Sequence, residues 1–124
     1  MNWSAIGAIF LALAVGSGAF GAHGLRDRLD AYSLGIWEKA VFYHFIHSMG
    51  VLVVSVLPRT GTFPAGNASS VCWLLAAGVL IFSGSLYTLA LTGVRTLGAI
   101  TPVGGVCFIA AWLLLAYHFI VQRA

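Results

Sequence analysis

Four long stretches of this sequence contain no charged side chain. They cover residues 1–25, 40–58, 60–94 and 96–122. An α-helix rises about 1.5 Å per residue, so about 20 apolar residues cross the roughly 30 Å hydrocarbon core of a bilayer. Each stretch is long enough to supply one such segment. The pattern therefore predicts a chain that folds inside a membrane, with the lipid bilayer as its first partner.

The composition excludes the soluble alternatives. Charged residues make up 7% of the 124 residues and hydrophobic residues 60%, whereas a soluble domain carries about 25% charged residues. So few charges cannot cover the surface of a soluble fold, and a chain this apolar is neither disordered nor a disulfide scaffold. The six basic residues form no cluster, so the net charge of +3 does not indicate nucleic-acid binding.

Turn signals divide the third uncharged stretch and complete the count of helices. Pro58 ends the second helix, and a segment rich in Pro and Gly follows it. Ser33 is the predicted N-cap of the second helix. The predicted spans cover residues about 3–24, 34–57, 71–92 and 97–120. Short loops force antiparallel neighbours, so we expect residues 1–124 to form one domain, an all-α, integral membrane, four-helix up-down bundle with both termini on one side.

Small residues recur on the first predicted helix. In lipid, faces of small residues let helix backbones approach closely. Two such faces occur, one with Ala8, Ala12 and Gly16, the other with Ala14, Gly18 and Ala22. They predict that the first helix lies at the centre of an interface, either within the bundle or between copies in a homo-oligomer. Gly78 and Gly104 predict close packing of the later helices in the same way.

Polar side chains gather in the half of the bundle that adjoins the 25–38 loop. Lys39, Tyr43 and His47 follow one another at four-residue spacing and share one face of the second helix. The spacing to the nearest charges places three more side chains in the same half. The candidate ligand or proton site is His23, Lys39, Tyr43, His47, Tyr87 and Arg95. His44 lies about 100° around the helix from Tyr43 and is expected to face lipid near the headgroups.

Two interpretations of this cluster stay open. Ionisable groups within a membrane are costly and are often functional, yet Tyr43 and His47 could also hydrogen-bond between helices and stabilise the bundle. All three acidic residues lie between positions 27 and 38, so no span carries the carboxylate of small four-helix multidrug exporters. Haem held by histidine pairs is a third alternative, although His23 and His47 differ in estimated depth by about 8 Å.

Enzymatic and metal chemistry lack a recognisable motif. No pair of carboxylates and no Ser/His/Asp set can be placed at one depth. Cys72 and Cys107 stand alone in apolar surroundings, form no CxxC motif and are interpreted as unbonded packing thiols. We therefore expect no enzyme activity, no metal and no cofactor.

Four stretches of the sequence carry a family resemblance, one on each predicted helix. They are Gly18-Ala19-Phe20-Gly21-Ala22-His23-Gly24, Tyr43-x-x-x-His47, Phe82-Ser83-Gly84-Ser85-Leu86-Tyr87 and Thr101-Pro102-Val103-Gly104-Gly105. Together they resemble the signature stretches of the transmembrane protein 256 family, small four-helix membrane proteins of unknown function. The resemblance covers nearly the whole chain and implies the same fold and, for a bacterial member, location in the plasma membrane. It implies no catalytic or binding residues.

The predicted function is that of a small, non-enzymatic, multi-pass protein of the cell membrane that self-assembles or supports a partner. The alternative is a protein that binds or transports a small polar or anionic ligand, or protons, through the His/Tyr/Lys cluster. The small-residue faces and short loops favour the first hypothesis, and the buried polar side chains favour the second.

Overall fold

The computed structural model describes residues 1–123, and these form helices and turns without a β-strand. A π-helical turn, Val79–Ser83, joins α3 and α4 into one continuous span, and short 3₁₀ turns cover Leu57–Thr60 and Arg95–Ala99. The helices are α1 (Trp3–His23), α2 (Ala31–Val56), α3 (Ala65–Gly78), α4 (Gly84–Thr92) and α5 (Thr101–Arg123). Within this part of the chain, four helical segments are long and apolar enough to cross a membrane. The predicted all-α membrane bundle is confirmed.

Two helices begin earlier than the sequence predicted. α2 begins at Ala31 because Asp30 is its N-cap: the Asp30 carboxylate accepts a hydrogen bond from the Ser33 amide at 2.8 Å. The prediction of Ser33 as the N-cap is therefore wrong, and Ser33 is instead the residue that donates to the cap. The third span begins at Ala65 rather than near 71, directly after Pro64, whose extended backbone starts the helix.

Both ends of the described chain lie at the same face of the bundle. Trp3, at the start of α1, donates a hydrogen bond from its indole nitrogen to Ser69 Oγ in the first turns of α3. Phe119, near the end of α5, packs against Phe63 with 5.4 Å between ring centroids. Neighbouring spans therefore run antiparallel, as an up-down bundle requires. We call this face, which holds the Leu57–Thr60 turn, the terminal face, and the opposite one the loop face.

α1 lies at the edge of the bundle and packs along α2. Its buried positions Gly7, Ala14 and Gly21 follow at intervals of seven residues, the spacing of a left-handed helix pair. A Cβ atom on Gly7 would lie 2.9 Å from the Leu52 amide nitrogen, so this approach needs glycine. The prediction that α1 lies at the centre of an interface is met within the bundle by this contact with α2, which includes Ala14 of one predicted small-residue face.

One of the two predicted small-residue faces of α1 follows a different period from the observed contact. Ala8, Ala12 and Gly16 repeat every four residues, the spacing of a right-handed crossing, and all three are exposed. A helix that packs with a repeat of seven residues turns this stripe away from its neighbour.

The core lies between α2, the third span and α5. Val51, Val71, Leu75 and Ala111 are fully buried there. A Cβ atom added to Gly78 or Gly104 would collide with a phenylalanine of the facing helix, which confirms their predicted packing role. Both cysteine thiols are free, as predicted.

Candidate functional site

The six residues of the predicted cluster do not form one site. Three of them, His23, Lys39 and Arg95, are exposed. The other three, Tyr43, His47 and Tyr87, are buried or half-buried. That Lys39 and Arg95 close a site at the membrane surface stays a prediction. The Arg95 guanidinium lies 5.5 Å from the centre of the exposed Tyr32 ring, a cation–π contact at the loop face.

His47 is an interior residue held by its own helix and by α5. Its Nδ1–H donates to the Tyr43 carbonyl oxygen at 2.8 Å, and its ring stacks on Phe108 with 3.5 Å between centroids. The expectation that His47 faces the interior is confirmed.

Tyr87 pairs with a histidine that the predicted cluster left out. The Tyr87 hydroxyl lies 2.9 Å from Nδ1 of His44, and His44 is buried. The expectation that His44 faces lipid is wrong. A signal in the sequence was present: Ala40 and Ser48, one turn before and one turn after His44, are small residues on the same face. Small residues on one stripe mark a helix contact in lipid, and both are fully buried.

A cavity of about 130 Å³ adjoins the His44–Tyr87 pair. It lies between α1 and the third span. Because α1 packs along α2, it leaves this side of the third span uncovered. Leu13 of α1 and Leu80 of the π-helical turn line it and are both exposed on the outer surface of the bundle. The cavity therefore opens sideways, toward the lipid. We call it the lateral cavity.

Trp37 packs against the Tyr87 ring and links the polar pair to α1. Its buried ring packs on Tyr87 with 4.5 Å between centroids, and its indole N–H donates to the Ser17 carbonyl oxygen of α1 at 2.8 Å. Trp37 precedes His44 by seven residues, or about 10 Å along the helix axis. Trp37 therefore lies nearer the loop face than His44 does.

The π-helical turn forms one wall of the lateral cavity. It places Val79, Leu80 and Ser83 there, and the Ser83 hydroxyl donates to the Ala40 carbonyl oxygen of α2 at 2.8 Å. Single π-helical turns inside α-helices are rare and occur frequently at functional sites. Gly84 follows directly, and a Cβ atom there would meet nothing within 4 Å, so the wall has space in front of it.

Metal-binding residues are dispersed in the described chain. Within residues 1–123, no three His, Cys, Asp or Glu side chains are close enough to share a metal ion. The Cys72 thiol is buried and donates to the Val51 carbonyl oxygen at 3.7 Å.

The fold and the lateral cavity define a class: a small four-span helical membrane protein with a polar pair buried beside a lipid-facing opening. The family model described as "Protein of unknown function (DUF423)" matches residues 17–105. The chain belongs to this family.

Bacterial membrane proteins are similar over most of their length. A UPF0382 membrane protein of Staphylococcus epidermidis is 52% identical over 110 residues, which cover 89% of this chain and 88% of the relative. UPF0382 membrane protein YwdK of Bacillus subtilis is 46% identical over 110 residues, 89% of both chains. No solved structure matches this chain.

Proposed function

We propose that this protein is a non-enzymatic membrane module that binds a membrane-dissolved amphiphile in the lateral cavity. The observation that carries the proposal is the hydrogen-bonded His44–Tyr87 pair, 2.9 Å apart, at the inner end of an opening to lipid. Intramembrane ionisable residues that line a cavity mark ligand sites more often than residues packed in a core. The alternative hypothesis from the sequence is thereby kept, with His44 in place of His23, Lys39 and Arg95.

The protons of the pair indicate which chemical group it would hold. A neutral imidazole has one N–H and a tyrosine one O–H. One of these protons is used in the bond between His44 and Tyr87, whichever residue donates, so the other remains for a third group. The ligand therefore needs an acceptor oxygen for this proton, such as a carbonyl, ether or ester.

The walls of the cavity indicate the rest of the ligand. Phe10, Leu13, Val79 and Leu80 give it an apolar lining, and its mouth opens to the hydrocarbon. A molecule that enters from the bilayer keeps its apolar body among lipid chains and exchanges only its polar group for the protein. This favours an amphiphile over the small polar or anionic ligand that the sequence suggested.

Two features support a binding role without catalysis. The acidic side chains Asp27, Asp30 and Glu38 all lie near the loop face, so no carboxylate is available to the pair as a base. The Ser83 hydroxyl, which lines the cavity, already donates to a backbone carbonyl, so its proton is not available for chemistry.

Mass spectrometry of gently extracted protein tests the proposal. Gly84→Leu would fill the lateral cavity without meeting the backbone, since the space in front of Gly84 is open. Gly35→Leu is the matched control, because Gly35 also has open space but lies in the first turns of α2, away from the cavity. We expect a co-purifying lipophilic species in the wild type and in Gly35→Leu, and its loss in Gly84→Leu. An equal amount in all three, or none in the wild type, contradicts the proposal.

Self-association is a second candidate function, carried by the free face of α1. Ala8, Ala12 and Gly16 are exposed, and a Cβ atom on Gly16 would meet nothing within 4 Å. Such a stripe suits a right-handed contact with another helix. If this face joins two copies, Gly16→Leu converts a cross-linked dimer into a monomer in native membranes, whereas Gly35→Leu leaves the dimer intact.

We also propose a location in the plasma membrane and a relationship with the transmembrane protein 256 family. The relatives come from Staphylococcus and Bacillus, which favours the plasma membrane for this multi-pass chain. The motifs around Tyr43, His47, Tyr87 and Gly104 support a relationship with the transmembrane protein 256 family. Fractionation of cells that express the tagged protein tests the location.

A further inference from the structure

A second cavity, of about 380 Å³, lies at the terminal face. It is bounded by the first turn of α1, the end of α2 and the start of α3. Unlike the lateral cavity, it has several polar side chains in its lining and one cationic side chain. The polar or aromatic residues that line it are Asn2, Trp3, Ser4, Ser55, Arg59 and Ser69. We call it the terminal cavity.

The hydrogen bonds at the terminal cavity leave donors without a partner. Trp3 donates its indole N–H to Ser69 Oγ at 3.1 Å, so the Ser69 hydroxyl proton remains available. Asn2 uses its amide oxygen to accept from the Ala5 N–H at 3.1 Å, which leaves the amide NH₂ group for another acceptor.

The remaining two hydroxyls satisfy one another. Ser55 donates to the Leu52 carbonyl oxygen at 2.6 Å, so the 2.8 Å contact between Ser55 and Ser4 has Ser4 as its donor. Neither hydroxyl proton is left over. The free groups of this cavity are therefore the donors of Ser69, Asn2 and Arg59.

Charge at the terminal face has one sign. All three acidic side chains lie between residues 27 and 38, at the loop face. Arg59 therefore has no Asp or Glu side chain on its own side of the membrane. A guanidinium offers five N–H donors and accepts none, and the exposed Arg59 side chain can bind an anion at this face.

We propose that the terminal cavity binds a phosphate-bearing anion at the membrane surface, through Arg59, the Ser69 hydroxyl and the Asn2 amide. Phosphate supplies several acceptor oxygens on one centre, and arginine pairs with it through two parallel hydrogen bonds. Basic pockets between membrane helices bind phospholipid headgroups by this chemistry. A phospholipid headgroup and free inorganic phosphate share it. The site is independent of the lateral cavity and of the function proposed there.

Native mass spectrometry from vesicles tests the charge requirement. The protein is reconstituted in phosphatidylcholine vesicles with and without phosphatidylglycerol, and the bound anionic lipid is measured after extraction. Arg59→Gln should weaken the affinity for the anionic lipid about tenfold, the loss expected when one charge-assisted contact of about 1.4 kcal/mol is removed. Arg95→Gln is the matched control, because it removes an exposed cation at the opposite face and should leave binding unchanged.

A second pair of variants tests the Ser69 proton. Ser69→Ala removes both the free hydroxyl proton and the acceptor for Trp3, whereas Trp3→Phe removes the same Trp3–Ser69 bond and keeps the hydroxyl. We expect weaker lipid binding in Ser69→Ala and wild-type binding in Trp3→Phe. Equal loss in both variants would mean that the bond only shapes the cavity, and would overturn the role of Ser69.

Inorganic phosphate distinguishes the two sources. In phosphatidylcholine vesicles, phosphate is titrated while thermal unfolding is followed. A rise in the unfolding temperature that Arg59→Gln abolishes identifies free phosphate as a ligand; binding of phosphatidylglycerol without this rise identifies the lipid headgroup. If neither anion binds, or if Arg95→Gln loses as much binding as Arg59→Gln, the proposal is wrong.

Discussion

The hydroxyl of Tyr87 lies 2.9 Å from Nδ1 of His44, across 43 positions of sequence. This contact joins α4 to α2 inside the membrane, at the edge of a cavity that opens toward lipid. The remaining aromatic neighbours hold the pair in place: Phe10 packs edge-on against His44, and Trp37 covers the Tyr87 ring. A polar contact enclosed in this way contributes to the stability of the bundle as well as to the binding of any ligand.

Removal of the Tyr87 hydroxyl should destabilise the protein. Tyr87→Phe keeps the ring but leaves His44 without its partner, and hydrogen bonds between membrane helices contribute about 0.5–2 kcal/mol. We expect the free energy of unfolding in detergent to fall by that amount. Tyr117→Phe is the control, because the Tyr117 ring is exposed. Equal stability of Tyr87→Phe and wild type would show that the contact contributes nothing.

Substitution by alanine should change the free energy of unfolding in opposite directions at two glycines of α1. Gly7→Ala forces a Cβ atom to within 2.9 Å of the Leu52 amide, and overpacking of this kind costs about 1–3 kcal/mol. Gly16 has open space, and alanine favours the helix by up to about 1 kcal/mol over glycine. Unfolding of the two variants in parallel measures the difference. A loss in Gly16→Ala as large as in Gly7→Ala would contradict the observed helix contact.

The N-cap of α2 should make the stability of the protein depend on pH. The hydrogen bond from the Ser33 amide to the carboxylate lowers the pKa of Asp30 from its ordinary value of 3.8. The pKa of Asp30 is lower in the folded protein than in the unfolded chain. The stabilisation is therefore fully present at a pH above the pKa of the unfolded chain, and it is lost as the pH falls through the pKa of the folded protein. Asp30→Asn keeps an acceptor oxygen without a titrating group.

Unfolding temperatures of wild type and Asp30→Asn, compared from about pH 6 to about pH 3, measure this effect. We expect the wild type to lose its advantage as the pH falls, and Asp30→Ala to be less stable than both at the higher pH because it lacks a cap. A constant difference between wild type and Asp30→Asn over this range would show that the charge of Asp30 does not stabilise α2.

Both ends of the chain should be accessible from the same side of the membrane. Trp3 and Phe119 pack at the terminal face, so a tag before Met1 and a tag after the last residue should be labelled by the same membrane-impermeant reagent. A cysteine introduced at Asp27, in the loop between α1 and α2, serves as the opposite-side control. Labels on opposite sides for the two tags would contradict the antiparallel bundle.

The spans could be predicted from the sequence because they depend on the spacing of nine charged residues. The lengths of the uncharged stretches require four crossings in any bilayer. The predicted start of α2 was late because a cap is decided by one hydrogen bond: Asp30 and Ser33 are both good N-cap residues, and only the backbone geometry selects Asp30.

The residues of the lateral cavity could be predicted only in part. Depth in the membrane follows from position along a helix, so the sequence correctly placed His47 and Tyr87 within the membrane-spanning part of the chain. The direction of each side chain depends on which neighbour covers that face. His23, Lys39 and Arg95 have the depth for a shared site but are exposed.

The sequence by itself determined that the chain is a four-span helical membrane protein, because the burial of charge in hydrocarbon is too costly to allow another arrangement. The tertiary structure decided that α1 packs on α2 through Gly7, Ala14 and Gly21, and that His44 meets Tyr87. In lipid, apolar residues gain no burial energy from one another, so helix contacts follow from shape and from a few hydrogen bonds. Those depend on the fit between two surfaces, which neither surface specifies alone.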